Sequence, residues 1–206
     1  GEKEHMENFI KKGEMFFNSI LYFKDKKINH DGRYDKKEGL SIILDPENTY
    51  ITINNIKYSH KELFQYADIT FNNNLYHLIY SLYSFSIPKT KNYPKEIVMD
   101  EKMYNFGEYF VFIKDIEEFL KRVKIKINKL NLISKNNLVL YEDFKSYNGY
   151  LNNFIKDKRY EYQKEYRILI KNYDENIKNK KIYIGNIEDI ASIFKVNVKN
   201  LKITFN

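Results

Sequence analysis

The pattern of apolar and polar residues predicts many short strands and few helices. Apolar and aromatic runs recur along the chain between clusters of turn-forming residues, which is typical of strands in an antiparallel sheet. The most apolar run, Leu75–Ile87, is expected to be a buried central strand or strand pair. Strands or strand-turns are also predicted at Glu14–Phe23, Ser41–Asp45, Tyr50–Ile53, Ile56–Tyr58, Phe106–Lys114, Leu138–Tyr141, Lys181–Ile184 and Leu201–Phe205.

Two or three segments have the residue spacing of helices. Glu7–Lys12 is followed by Gly13, a residue type that commonly closes a helix. Asp115 precedes apolar positions at helical spacing and forms a capping-box pattern with Glu118. A short amphipathic helix is predicted over Ile187–Phe194. The expected fold class is therefore α+β, with mostly antiparallel mixed sheet and two or three helices.

The stretch Phe154–Ile170, FIKDKRYEYQKEYRILI, carries the densest set of chemically capable side chains. A strand that runs from Tyr160 onward would place Gln163, Glu165 and Arg167 on one face, about 7 Å apart at each step. An arginine beside Glu165 should keep that carboxyl group ionised, because an opposite charge favours the charged form. This row of polar groups predicts either a ligand-facing strand or an edge strand that is protected by charge.

The composition is that of a folded chain with room for one hydrophobic core. The 206 residues fit a single domain over 7–206, while Gly1–Met6 resemble the scar of an expression tag. The absence of cysteine excludes disulfides and thiolate catalysis, and it suits a cytoplasmic protein. No apolar stretch approaches the roughly 18 residues of a membrane span. The formal net charge of +7 is compatible with nucleic acid, nucleotide phosphates or anionic membranes as partners.

Few familiar motifs occur in the chain. It contains no phosphate-binding loop, dinucleotide-binding fingerprint, zinc-protease motif or nucleophile elbow. The polar loop Lys24–Gly39 lies between predicted strands, where binding residues are often mounted, and it holds Asp31, Arg33, Asp35 and Glu38. His77 lies inside an apolar run and is interpreted as a core residue with its hydrogen bonds satisfied.

The order of several segments resembles a group of uncharacterised bacterial and phage proteins. The matching segments are MFFNSILYF, DGRYDKKEG, FGEYFVFIKDIEEFLKRV, FIKDKRYEYQKEYRI and IYIGNIEDI. Separately, Gln163–Lys164–Glu165 resembles the Q-x-E strand motif of ADP-ribosyltransferases. Those enzymes bind NAD in a cleft of a small α+β fold with two packed sheets. The Ser-Thr-Ser strand signature of that superfamily, and its first-strand Arg or His, have no clear counterpart here.

The resemblance implies an NAD-consuming enzyme, such as a toxin or a phage-defence effector, with a protein or nucleic acid as acceptor. Glu165 would be the catalytic carboxylate that stabilises positive charge developing on the ribose, and Gln163 would orient the acceptor. It also predicts that Arg33 and Glu165 approach one another across a cleft. The residues implied in cofactor binding are Arg33, Tyr22, Phe23, Lys156, Arg159 and Arg167.

Two other functions fit the sequence. Lys156, Lys158 and Arg159, together with the many tyrosines, would suit a non-catalytic module that binds nucleic acid or nucleotides. A regulatory interaction protein of a defence or phage system, with no small-molecule ligand, is the third reading. Glu165 would then pair with Arg167 or Arg159 on an exposed sheet face, where such pairs contribute roughly 0–1 kcal/mol.

Overall fold

The computed structural model describes residues 1–24, 33–45, 49–59, 67–85, 96–196 and 202–204. Its α-helices are α1 (Lys3–Lys12), α2 (Ile20–Phe23), α3 (Asn72–Leu75) and α4 (Ile116–Lys129), and 3₁₀ helices span Glu101–Phe106 and Lys158–Gln163. The strands are β1 (Glu14–Ser19), β2 (Ile42–Leu44), β3 (Tyr50–Ile53), β4 (Ile56–Ser59), β5 (Ala67–Ile69), β6 (Leu78–Tyr83), β7 (Glu96–Val98), β8 (Tyr109–Ile113), β9 (Ser134–Leu138), β10 (Leu140–Glu142), β11 (Gly149–Tyr150), β12 (Ile155–Asp157), β13 (Glu165–Ile170), β14 (Asn179–Tyr183), β15 (Ala191–Lys195) and β16 (Lys202–Thr204). The protein is α+β, as the sequence predicts. Asp31 lies outside the described residues, as do positions 86–95 and 205.

A five-stranded antiparallel sheet forms the centre of the fold, in the order β14-β1-β6-β13-β9. The apolar strand β6 lies between β1 and β13, which confirms the predicted central position. Its register with β13 runs from Glu165 opposite Tyr83 to Ile170 opposite Leu78. Because side chains alternate between the two faces of a strand, β13 directs apolar and polar groups to opposite sides of this sheet.

The first face of the sheet carries the main hydrophobic core. Ile168 and Ile170 of β13 pack there against apolar residues of the helices α1 and α4. The buried residues of α4 are Phe119, Val123 and Ile127, which have the spacing of one helix face. Removing this apolar surface from water is the main driving force for placing α4 on the sheet.

The second face of the sheet is covered by smaller elements. These are the antiparallel sheet β11-β2-β5 and the parallel pair β10-β12. Two apolar clusters hold this layer, one of them centred on Ile20, Ile79 and Leu169. The other consists of Leu40, Ile43, Phe144 and Leu151. Polar residues of β13 meet this second layer, and they form the candidate site described below.

Several local signals in the sequence are confirmed. Gly13 closes α1 with a left-handed backbone, at a φ of 59°. Asp115 caps α4, since its Oδ1 accepts a hydrogen bond from the backbone N–H of Glu118 at 2.9 Å. The N-terminal helix begins at Lys3, so it includes residues that were set aside as a tag scar.

Two predicted elements are wrong. Ile187–Phe194 is not a helix, because Ala191–Lys195 forms the strand β15, which pairs with β8. Its buried positions mimic helical spacing, but pairing with a neighbouring strand overrides that local pattern. The predicted strand from Tyr160 begins only at Glu165. The residues before it form a 3₁₀ helix, and Lys164 then reverses the backbone at a φ of 41°.

Candidate functional site

Four charged side chains on the second face of the central sheet form a buried cluster, the charge quartet: Glu38, Lys156, Glu165 and Arg167. Arg167 is only 1% exposed. Its Nη1 and Nη2 donate to the two carboxylate oxygens of Glu38 at 2.7 and 2.9 Å, and its Nε donates to Glu165 Oε2 at 2.8 Å. Further bonds run from Nη1 to the carbonyl oxygen of Asn153 and from Nη2 to Glu165. All five N–H groups of the guanidinium therefore have acceptors.

Lys156 extends this network to Gln163. Its Nζ donates to Glu165 Oε1 and to Gln163 Oε1, both at 2.7 Å, and lies 3.6 Å from Glu38 Oε2. The hydroxyl of Ser81 on β6 donates to Glu165 Oε2 at 2.6 Å. The structure thus brings together the amide, carboxylate and guanidinium groups that strand alternation placed on one side of the chain.

Opposite charges in the quartet favour the ionised forms of Glu38, Glu165 and Arg167. Burial alone would raise the pKa of Glu165, but Arg167 and Lys156 outweigh it and hold that pKa well below its ordinary value. The same two cations lower the pKa of Glu38 against the opposing effect of burial. Burial would lower the pKa of Arg167, but Glu165 and Glu38 raise it further above its ordinary value. Within the quartet two acidic and two basic side chains balance, and the buried Asp35 is a further carboxyl group that interacts with Glu38 and Lys156.

This arrangement leaves Glu165 no free oxygen for a substrate. Lys156, Arg167 and Ser81 occupy both carboxylate oxygens, and the side chain is 6% exposed. Glu165 lines neither of the two clefts described in this structure. Its pairing with Arg167 was expected on an exposed surface, but the pair is buried. The quartet is suited to a structural role: its ion pairs connect the central sheet to the layer that carries Glu38.

The structure places Arg33 elsewhere. Its Nη2 donates to the carbonyl oxygen of Phe106 at 3.4 Å, and its guanidinium lies 5.4 Å from the centre of the Phe106 ring. Within the described part of the chain it shares no ion pair with Glu165. Tyr22 is exposed and contacts Phe23 edge to face at 5.3 Å, and Phe23 packs on the apolar cluster around Leu169.

The predicted basic segment is divided by burial. Lys156 is buried in the quartet and cannot reach a phosphate backbone, which corrects its assignment to a nucleic-acid or pyrophosphate contact. Lys158 and Arg159 are exposed. Arg159 is paired with Asp157 at 2.9 Å, and this pair belongs to the cap of the following 3₁₀ helix.

A polar cleft of about 580 Å³ opens beside the quartet, along β13 and the edge strand β9. This cleft, called the amide cleft, is notable for four asparagines among its lining residues. It is lined by His77, Lys135, Asn136, Asn137, Asn152, Asn153, Phe154, Leu169 and Lys171. Amide groups both donate and accept hydrogen bonds, so the lining suits a ligand with many polar atoms.

Two cations of the amide cleft, Lys135 and Lys171, lie on the same sheet face. Lys135 is opposite Leu169 in the register, and the backbone of Lys171 bonds to Ile133 in the same ladder. This register makes the two lysines diagonal neighbours, about 7–8 Å apart at their backbones. Among the described residues neither has an ion-pair partner. Like charges at this spacing repel one another, and an anion between them would relieve that repulsion.

Asn153 carries an unsatisfied polar atom at the amide cleft. The residue is 7% exposed, and its Oδ1 is buried without a hydrogen-bond partner in the described part of the structure. Its backbone carbonyl is bound by Arg167, so the quartet fixes the position of this residue. A buried acceptor left unpaired costs roughly 1–3 kcal/mol, and a turn of the Asn153 side chain toward the cleft would let a ligand's donor recover that cost.

His77 closes one end of the amide cleft. Its Nδ1 lies 2.8 Å from the carbonyl oxygen of Asn172, and its ring contacts Tyr173 edge to face at 5.4 Å. The side chain is buried, which agrees with its interpretation as a satisfied core residue. It also lines the cleft, so it contributes to the shape of the site.

No pattern in the sequence indicates that the asparagines and lysines of the amide cleft form a site. Their only signal was the repeated Asn-Asn pair, at Asn136–Asn137 and at Asn152–Asn153. Asparagine pairs are common in turns, so this pattern did not indicate a site. Glu38 was noted in its loop, but its partner Arg167 could not be assigned from spacing.

In the described ranges no helix has the length and apolar character needed to cross a lipid bilayer. Those residues also contain no group of three or more metal-ligating side chains. Comparisons of the chain with protein-family models, with curated proteins and with solved structures gave no match.

Proposed function

We propose that this protein is a non-catalytic nucleotide-binding module whose ligand lies in the amide cleft. The observation that carries the proposal is a cleft lined by Asn153, Lys135 and Lys171, where among the described residues neither the buried Oδ1 of Asn153 nor either lysine has a partner. A nucleoside phosphate has the matching chemistry, because its base offers N–H donors and its phosphates offer negative charge. The volume of about 580 Å³ is within the range of roughly 300–1,000 Å³ typical of small-molecule sites.

Each part of the ligand has a counterpart in the cleft. The phosphates would lie between Lys135 and Lys171, on the face of β9 and β13. The base would lie near Phe154 and Leu169, the two apolar residues of the lining, with an N–H group directed to Asn153. The quartet fixes the position of one residue of this site, because Arg167 donates a hydrogen bond to the backbone carbonyl oxygen of Asn153.

This reading gives Glu165 a structural role. The NAD-cleaving activity implied by the Q-x-E resemblance would require a carboxylate that faces a bound ribose. Here both oxygens of Glu165 are bound by Lys156, Arg167 and Ser81. NAD is itself a dinucleotide, so it belongs among the ligands to be tested, and turnover is measured separately from binding.

The test is a titration of the purified chain with ATP, ADP, AMP, NAD, adenosine and inorganic pyrophosphate. Isothermal titration calorimetry and the shift in melting temperature are the two readouts. The nucleoside phosphates should bind more tightly than adenosine or pyrophosphate, because only they contact both ends of the cleft. Absence of binding at millimolar concentration by all six compounds would overturn the proposal.

Variants locate the site. Asn153→Ala should weaken nucleotide binding about tenfold, which corresponds to about 1.4 kcal/mol. It should leave the melting temperature of the free protein unchanged or higher, because it removes an unsatisfied buried group. Lys135→Met with Lys171→Met should abolish the preference for phosphorylated ligands. Lys129→Met removes the same charge from α4, on the other side of the sheet, and should leave binding intact.

Nicotinamide release in the NAD titration distinguishes binding from catalysis. No release, with binding retained, supports a module without turnover. Release above the rate in buffer would show that the chain cleaves NAD and would replace the non-catalytic proposal with the enzyme reading. In that case Ser81→Ala, which removes an exposed hydroxyl bonded to Glu165, is the first variant to measure.

A further inference from the structure

The strand β9 has one free edge within the described part of the chain. It is the last strand of the central sheet and pairs with β13 on one side only. Lys171 N–H bonds to Ile133 O at 2.8 Å, and Val139 N–H bonds to Glu165 O at 2.9 Å. Backbone groups of antiparallel strands alternate in direction, so the odd-numbered residues of β9 bond to β13. The backbone groups of Ser134 and Asn136 therefore point outward.

One outward donor at this edge is already capped. The N–H of Leu138 is bound by the side-chain oxygen of the neighbouring Asn137 at 2.9 Å. The outward groups of Ser134 and Asn136 have no such partner among the described residues. They form a short row of donors and acceptors that an added strand would bond to.

A groove lined by both apolar and polar residues runs beside the same edge. It lies between α4 and β9, has a volume of about 630 Å³ and is called the helix groove. Ser134 and Asn136 line it, since their side chains share the sheet face of Ile168. Its apolar residues include Leu120, Val123, Ile127, Leu132 and Ile168. Ile133, which also lines the groove, is 63% exposed, and Leu138, on the same sheet face as Ser134 and Asn136, is 51% exposed and extends the apolar surface along the strand.

Positive charge surrounds this edge. Lys121 and Lys124 line the helix groove; Lys121 pairs with Glu118 at 3.0 Å, whereas Lys124 has no ion-pair partner among the described residues. Lys135 projects from the opposite face of β9, next to the amide cleft. The whole chain has a formal net charge of +7. The charge complementarity therefore favours an acidic partner.

A second copy of this chain does not fit the same edge. Antiparallel pairing of β9 with β9 about a twofold axis would bring the two Lys135 side chains onto one face near each other. It would also place the lysine-lined helix groove of each copy close to that of the other. Like charges on facing strands are destabilising, so the edge selects against its own copy.

We propose that β9 is a docking edge for an extended segment of a partner protein in which apolar side chains alternate with acidic ones. The segment adds a strand to the central sheet through the backbones of Ser134 and Asn136. Its apolar side chains enter the helix groove, and its acidic side chains lie on the other face beside Lys135. The inference rests on the sheet edge, but Lys135 is shared with the proposed phosphate site, so the peptide is tested in the absence of nucleotide.

The probe is a short synthetic peptide of alternating valine and glutamate with a fluorescent label. Fluorescence anisotropy should show saturable binding, and a peptide of alternating valine and lysine should not bind. Amide hydrogen exchange followed by NMR should show new protection at Ser134 and Asn136 when the acidic peptide is bound. Failure of the acidic peptide to bind at millimolar concentration, or binding without that protection, would overturn the proposal.

A matched pair of variants tests the backbone contact. Asn136→Pro removes an outward N–H without removing a ladder bond to β13, a position where edge strands tolerate proline. It should weaken peptide binding at least tenfold relative to Asn136→Ala, which loses the same side chain but keeps the N–H. Equal affinity of the two variants would contradict strand addition. The exchange measurement on the unmodified protein decides the question if Asn136→Pro fails to fold.

Discussion

Arg167 and Glu38 are 129 residues apart in the sequence, and their side chains meet through two hydrogen bonds of 2.7 and 2.9 Å. This bidentate contact joins the segment before β2 to the middle of the central sheet. A planar guanidinium and a carboxylate match in this geometry, which makes the pair stronger than a single-point contact. The contact is also the reason why a charged strand face is buried here.

The first prediction concerns this pair. Glu38→Gln should lower the free energy of unfolding by about 3–5 kcal/mol, because it leaves Arg167 with an uncompensated buried charge. Urea denaturation followed by circular dichroism measures the loss. Glu7→Gln is the control, since Glu7 pairs with Lys11 on the exposed surface of α1 and should change stability little. A loss no larger than that of the control would contradict a stabilising role for the pair.

Substitutions of two lysines that are two positions apart should change the stability of the fold by very different amounts. Lys156→Met should destabilise the fold by about 3–5 kcal/mol, because Glu165 and Gln163 lose a shared buried donor. Lys158→Met should have little effect, since Lys158 is exposed. The midpoint of urea denaturation is the measurement. Similar midpoints for both variants would show that burial does not distinguish the two positions.

Asp35 should make stability depend on pH. It is 1% exposed, and its Oδ2 has no hydrogen-bond partner among the described residues. Burial, and then the nearby carboxylate of Glu38, raise the pKa of Asp35 to about 6. An aspartate in an unfolded chain has a pKa of about 3.9. Between these values the folded chain binds more protons than the unfolded chain, so stability falls as the pH rises.

Asp35→Asn should remove this dependence, and its Oδ1 can keep the hydrogen bond from the backbone N–H of Lys37. The difference in unfolding free energy between variant and wild type should shift by on the order of 2–3 kcal/mol between about pH 4 and pH 6.5. The shift should favour the variant at the higher pH. Urea denaturation across that range is the measurement, and parallel pH profiles would contradict the prediction.

Gly13 should be less replaceable than Gly185, although both have positive φ angles of 59° and 93°. A Cβ at Gly13 would overlap the carbonyl oxygen of Gly185 and the side chain of Ile184, whereas a Cβ at Gly185 meets open space. Backbone strain of roughly 1–2 kcal/mol applies to alanine in a left-handed conformation. Gly13→Ala adds a steric overlap and should lower the melting temperature more than Gly185→Ala. A larger drop in melting temperature for Gly185→Ala than for Gly13→Ala would contradict the close approach of the two backbones at Gly13.

Sequence reasoning succeeded where a signal was local. The glycine after α1 and the aspartate before α4 predicted their helix ends, because capping depends on neighbouring residues alone. Alternation along β13 correctly grouped Glu165 with Arg167. It could not show that this face is buried, because a strand face with charged side chains is usually exposed to solvent. Burial of this face becomes favourable because Glu38, from a distant part of the chain, pairs with Arg167. A pair between residues so far apart leaves no periodic pattern in the sequence.

Two other features were not predicted from the sequence, the strand β15 and the amide cleft, and each has a physical cause. Residues 187–191 have apolar positions at helical spacing, but β8 offers a pairing partner that a local pattern does not reveal. The amide cleft forms where β9, the loop at Asn152 and β13 converge. Asparagines that are ordinary turn residues in the sequence become a site only through that convergence.

The charge quartet also limits how this sequence can change over time. Its two acids and two bases sum to zero, so any single replacement by a neutral residue leaves an unbalanced charge in the interior. We expect divergent versions of this chain to replace Glu38 together with Arg167, or Glu165 together with Lys156. Such paired replacement would make these positions covary, and a set of related sequences could reveal the contact without coordinates.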